Sequence, residues 1–162
     1  MYSSEGLLEF FRRTHFSFEK LIEHCKSLSV DEFNREIEGF GYPTVKLQLH
    51  HAIGAQKYWI GVLEGRMDVD DDPDDSFTID DMEEYCKSVF HLAEDYLSTA
   101  TTDELTTARP MMTWRNIEKV LVPAHVLIRT LTHMYHHHGQ VTAMCRIMNK
   151  SVEPGMDYPI LP

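Results

Sequence analysis

His133 and His137, within the run Thr132 to Gln140, are the residues of this chain whose type and spacing bear most directly on chemistry. Successive residues on a helix turn by about 100°, so side chains four apart stand nearly above one another and two imidazoles can reach one point. Imidazole is the commonest protein ligand for divalent metals. Two such rings do not enter an apolar stripe without partners, because burying an unpaired polar group is unfavourable. A metal edge supplies the partners. The alternative is a pair of neutral core histidines bonded to carbonyls or hydroxyls.

The stripe is apolar. With His137 at zero, Val126, Leu127, Thr130, His133, Met134, Val141, Met144, Cys145 and Met148 fall within about 80° of it. His125 and His136 fall to one side near Arg129 and His138 to the other, as flanking or solvent positions. Two imidazoles hold a divalent ion weakly, so a third inward donor is required from another helix. Residues 44–65 offer His50 and His51. His51 shares a face with Thr44, Leu47, Gln48, Ala55, Tyr58, Trp59 and Val62, whereas His50 shares its side with Lys46 and Lys57. Periodicity therefore turns His51 inward and His50 outward. Ala52, Gly54 and Ala55 nearby leave room for a neighbouring helix, a ligand or a substrate.

Three inward histidines match an open catalytic site, in which solvent or substrate completes the shell, better than a structural site closed by four ligands. Cys145 lies two turns, roughly 12 Å, along the axis from His137 and cannot readily close it. Zinc, nickel and iron(II) all accept imidazole. Gln140, about 60° around from His137, is the candidate for orienting a ligand histidine or bound solvent, its other role being helix surface or an interhelix hydrogen bond. Tyr58 and Trp59 are candidates for lining a substrate pocket, or plain core. No Ser-His-Asp order, phosphate-binding glycine loop or dinucleotide fingerprint is present.

Four long segments must position these groups. Helical periodicity covers residues 4–28, about 44–65, 78–98 and 123–148, with Thr78 and Asp81 as a capping pair and Pro123 in a first turn. Nothing alternates strictly enough to argue for strands. Residues 99–119 are mixed, with Trp114 expected to anchor this connection against the helices, and residues 153–159 are expected to be irregular. The expected architecture is an all-α four-helix bundle in a single domain, 1–162, with one long crossover connection. The run Asp68 to Asp75 lacks the glycine and closing glutamate of an EF-hand loop, so it reads as a solvated linker.

Composition limits the partners. A formal charge of -11, from 26 acidic and 15 basic residues, argues against nucleic acid and against anionic membranes. Cys25, Cys86 and Cys145 are widely separated and read as core filler in a reducing cytoplasm. The N-terminal residues lack the basic and apolar regions of a signal peptide, and no apolar run approaches membrane-spanning length.

Two segments also resemble a known family. His51 followed eight positions later by Trp59, and His133 to Gln140 in a pattern similar to His-x-x-x-His-Arg-Gly-Gln, resemble the DinB/YfiT-like metalloenzymes. The likeness extends through the Gly39 to Tyr42 turn and the Gly155 to Tyr158 tail. It implies a four-helix bundle in which His51, His133 and His137 are the metal ligands, the residues the helical wheels select. It further implies thiol-dependent transfer with a low-molecular-weight thiol cosubstrate and a small electrophilic acceptor. The alternatives are a metal-dependent hydrolase or a non-catalytic metal-binding bundle. A homodimer is expected by resemblance alone. The chain departs from the commoner pattern at His138, where arginine is frequent, at Met134, where an acidic residue is frequent, and at Gln56, where glutamate is common. The ligands are intact; roles of the groups around them do not carry over from relatives.

Overall fold

A computed structural model describes residues 2–160. Its long helices are α1 (Ser4–Cys25), α3 (Val45–Leu63), α4 (Ile79–Thr99) and α6 (Pro123–Ile147), with short α2 (Val30–Phe33) and α5 (Thr102–Thr106) in the connections. The helices begin at start signals, a side-chain cap or, for α6, a proline in the first turn. Thr44 accepts from the Leu47 amide at the start of α3, Thr78 and Asp81 form a reciprocal capping box at α4, and Pro123 opens α6. The acidic residues Asp80 and Asp81 lie in the first turn of α4, where the helix dipole favours negative charge.

The helices pack in a ring in which α3 touches both α6 and α4, and α1 touches both of those helices from the other side. One long crossover is expected from the sequence; the structure has two connections between helices that are not packed together, α1 to α3 and α4 to α6, the latter carrying α5 and an additional element. Two apolar clusters fill the interior. One gathers Phe18, Ile22, Leu49, Ile53, Met134 and Met144, the other Phe11, Ile60, Leu97, Leu127 and Leu131. All three cysteines are free and buried. Among the described residues no helix is long and apolar enough to cross a membrane.

The absence of strands is corrected by a small hairpin. β1 (Arg109–Thr113) pairs antiparallel with β2 (Ile117–Leu121), Met111 opposite Lys119 and Thr113 opposite Ile117. Met111 and Thr113 turn inward while their neighbours face out, a period-2 pattern too short to register beside the long helical repeats. The turn is also disguised. Arg115 and Asn116 both take left-handed conformations, with φ of 60° and 56°, in a place usually signalled by Asn-Gly. Trp114 accordingly sits at the hairpin tip, 57% exposed, rather than anchored in the bundle.

Three outward assignments are corrected as well. His50 is buried between Phe77 and Tyr85, and Lys46 is buried with its ammonium donating to the Asp74 carbonyl at 3.0 Å. His138 is buried against Phe18 rather than flanking in solvent. A wheel with one apolar face presumes one polar face; α3 and α6 are each packed on two sides, so rings about 100° off the main stripe are covered too.

Candidate metal centre

α3 and α6 lie side by side and bring His51 against His133 and His137. One ligand nitrogen from each of the three can be chosen so that all lie within 4.8 Å of one another, a cluster able to hold a metal ion. The Nε2 atoms of His51 and His133 face each other at 3.2 Å. Two nitrogens on a tetrahedral zinc with bonds of about 2.05 Å stand roughly 3.3 Å apart, so this spacing suits a shared ion.

His137 is oriented from behind. Its Nδ1 lies 2.5 Å from the Oε1 of Gln48, an arrangement in which Nδ1–H donates and Nε2 keeps its lone pair for a ligand. Gln48 is held in turn: its Nε2 donates to the Tyr42 carbonyl at 2.8 Å and to the Gln140 Oε1 at 2.6 Å. Gln140 also reaches the His136 Nε2 at 2.6 Å. Gln140 thus reaches His137 through Gln48. Gln48 stands one turn before His51 on the same face, and that position is the sequence signal for its role.

The rings are disposed to stay neutral. Burial pulls the pKa of His51 below its ordinary value, and burial with the neighbouring histidines takes His133 down to about 4 and His137 to about 3. Neutral imidazole is the form that donates to a metal. The donor set, its spacing and its charge state therefore all fit a divalent ion.

His51 also opens onto a cavity of about 310 Å³. Gly54 and Ala55 form part of its wall, Tyr42 stacks on His51 with ring centroids 4.0 Å apart, and Tyr58, Trp114, Asp70 and Asp72 continue the lining outward. A methyl group added at Gly54 would stand 3.3 Å from the Tyr85 hydroxyl, so a larger residue there would crowd this wall. Tyr58 lies on the cavity. Trp59 lies outside it, in a separate hollow with Arg129 over its ring at 5.3 Å, because one residue further along α3 rotates the side chain by about 100°.

The acidic run is more than a solvated linker. Its Asp70 receives hydrogen bonds from the Lys57 ammonium and the Tyr85 hydroxyl, and Asp72 reaches the same cavity as His51. This strap closes one side of the opening. Tyr42, Asp72 and Trp114 escaped the helical wheels because all three sit outside the long helices, where no periodicity announces direction.

The same order of elements recurs in known proteins. A DinB-like protein from Bacillus cereus ATCC 10987 superposes with a TM-score of 0.74 at 20% identity, over 93% of this chain and 95% of that one. No curated protein matches significantly. The DinB family model matches residues 1–161, essentially the full length, and this chain belongs to the DinB family.

Proposed function

We propose that this protein is a metal-dependent enzyme in which His51, His133 and His137 hold a divalent ion, and that it transfers a low-molecular-weight thiol to a small electrophile. The observation that carries the reading is that His51 of the histidine cluster lines the 310 Å³ cavity, which leaves space beside that ligand for reactants. A divalent ion bound there supplies Lewis acidity and lowers the pKa of a thiol or water brought to it. The chain supplies the arrangement. Gln48 fixes the ring and tautomer of His137, Gln140 fixes Gln48, and Tyr42 covers one face of His51. Gly54 and Ala55 keep the adjoining wall low. In the overall reaction the thiol S–H bond and the acceptor's bond from carbon to its leaving group break, an S–C bond forms, and the leaving group departs as its anion with the proton released to solvent.

The test is a matrix of thiols and electrophilic acceptors against protein loaded separately with zinc, nickel or iron(II). Metal-dependent loss of free thiol, absent in His51→Ala, is the expected result. Stoichiometric metal with no turnover across the matrix would instead mark a non-catalytic metal-binding bundle, whereas turnover with water as the only acceptor partner would mark a hydrolase.

A further inference from the structure

The outer half of the cavity is built from parts that metal binding does not require. Trp114 at the hairpin tip and Tyr58 of α3 meet at 74° with ring centroids 6.3 Å apart, making two aromatic walls near a right angle. Asp72 lines the same space from the strap. Among the described residues it has no hydrogen-bond or ion-pair partner, whereas Asp70 is already taken by Lys57 and Tyr85. His50 also lines the cavity; the residue is only 9% exposed, and its ring has no hydrogen bond among the described residues. A ring nitrogen left without a partner in a cavity wall is where a ligand's polar atom can bind.

Aromatic faces attract cations through the ring quadrupole, and a carboxylate beside them adds a full negative charge. An anionic acceptor would meet Asp72, and no Lys or Arg lines the cavity itself. Lys57 is paired with Asp70, and Arg115 lines an adjoining hollow that shares Tyr58, Val69 and Trp114. We propose that the cavity selects a substrate carrying an organic ammonium group, seated between Trp114 and Tyr58 and facing Asp72, with His50 bonding a polar atom further along the ligand. This rests on the cavity being the substrate site of the enzyme proposed above, and it names the class of molecule that enters.

Choline and its uncharged isostere 3,3-dimethylbutan-1-ol are the probes, with 3,3-dimethylbutanoate as the anion, titrated by calorimetry or NMR against the metal-loaded protein. A quaternary nitrogen has no lone pair and cannot ligate a metal, so preference for it reports the outer walls. Choline is expected to bind about tenfold more tightly than the isostere. Asp72→Asn, at an exposed strap position, is expected to bring the two within about twofold while leaving the isostere's affinity unchanged. Trp114→Leu, at the exposed hairpin tip, is expected to reduce the preference too. Equal affinities in the parent protein, tighter binding of the anion, or an undiminished preference in Asp72→Asn would overturn the proposal. Metal content is measured on the same samples. Choline preference without bound metal would count against the metalloenzyme alone, and metal-dependent turnover without choline preference against the ammonium class alone.

Discussion

Two places in this bundle bury imidazole, and they do so in opposite ways. His15 of α1 is 2% exposed with both ring nitrogens engaged, Nε2 at 2.9 Å from the Gln56 Oε1 and Nδ1 at 3.6 Å from the Cys86 sulfur. His51 and His133 are only partly buried and turn their Nε2 atoms toward each other, and His51 lines a cavity. The first ring has both of its nitrogens engaged within the core. The second arrangement leaves lone pairs converging on one point, which is costly unless something arrives to share them. The difference separates a histidine used for the fold from histidines kept for a ligand.

The largest effect expected is on metal content. Replacing His51, His133 or His137 by alanine should remove most bound metal by elemental analysis, whereas His15→Ala and His50→Ala should retain it. Equal loss for His50→Ala would break the distinction between the cluster and the other buried rings.

Stability should show the reverse order. His15→Ala leaves a cavity and an unpaired Gln56, and should cost about 3 kcal/mol in urea denaturation. His51→Ala in metal-free protein should cost less than about 1 kcal/mol, since it removes a ring whose nitrogen has no native donor or acceptor other than another imidazole.

The pH dependence of folding sharpens the same contrast. Burial, opposed by the Gln56 hydrogen bond, takes the pKa of His15 from 6.5 down to about 4. Between those values the unfolded chain holds the additional proton, so stability rises with pH through this window. The His15 contribution is fully present above pH 6.5 and falls by about 3 kcal/mol as the pH drops to 4. Denaturation of His15→Met alongside the parent should give a visibly flatter slope over that range. Parallel slopes would mean that His15 is not the buried neutral group described.

Smaller again is the effect of the glutamine relay. Gln48→Ala should weaken metal affinity by about tenfold or more, because His137 loses the acceptor that fixes its tautomer. Gln140→Ala, acting only through Gln48, should weaken it by a few-fold. A larger effect at Gln140 would reverse the order of the relay. The least effect belongs to the hairpin. Asn116→Gly relieves a left-handed non-glycine residue and should raise stability by about 0.5 kcal/mol in thermal denaturation.

The sequence made the ligand cluster legible because its parts obey a single repeat. His133 and His137 are one turn apart, and His51 lies on the apolar face of its own helix, so helical geometry alone selects the three residues that meet. The same geometry misplaced His50, Lys46 and His138. Its assumption of one buried face fails in helices packed on two sides. Trp114, expected to anchor its connection against the helices, stands instead on a hairpin that turns on Arg115 and Asn116, residues that carry no conventional turn signature. Helical geometry also could not place Tyr42 or Asp72, which lie in connections without a periodic repeat. The histidine cluster was therefore readable as a pattern, and the cavity beside it only where α3 forms its wall, at Gly54, Ala55 and Tyr58.

That division has an evolutionary consequence. The histidines ride on two long helices whose packing is shared with the core, so moving them means rebuilding the bundle. Trp114 rides on a hairpin tip and Asp72 on an irregular strap, both of which tolerate insertion, deletion and exchange at little cost to folding. Descendants of this chain can acquire a differently walled cavity by re-cutting two surface segments while inheriting the same histidine cluster unchanged.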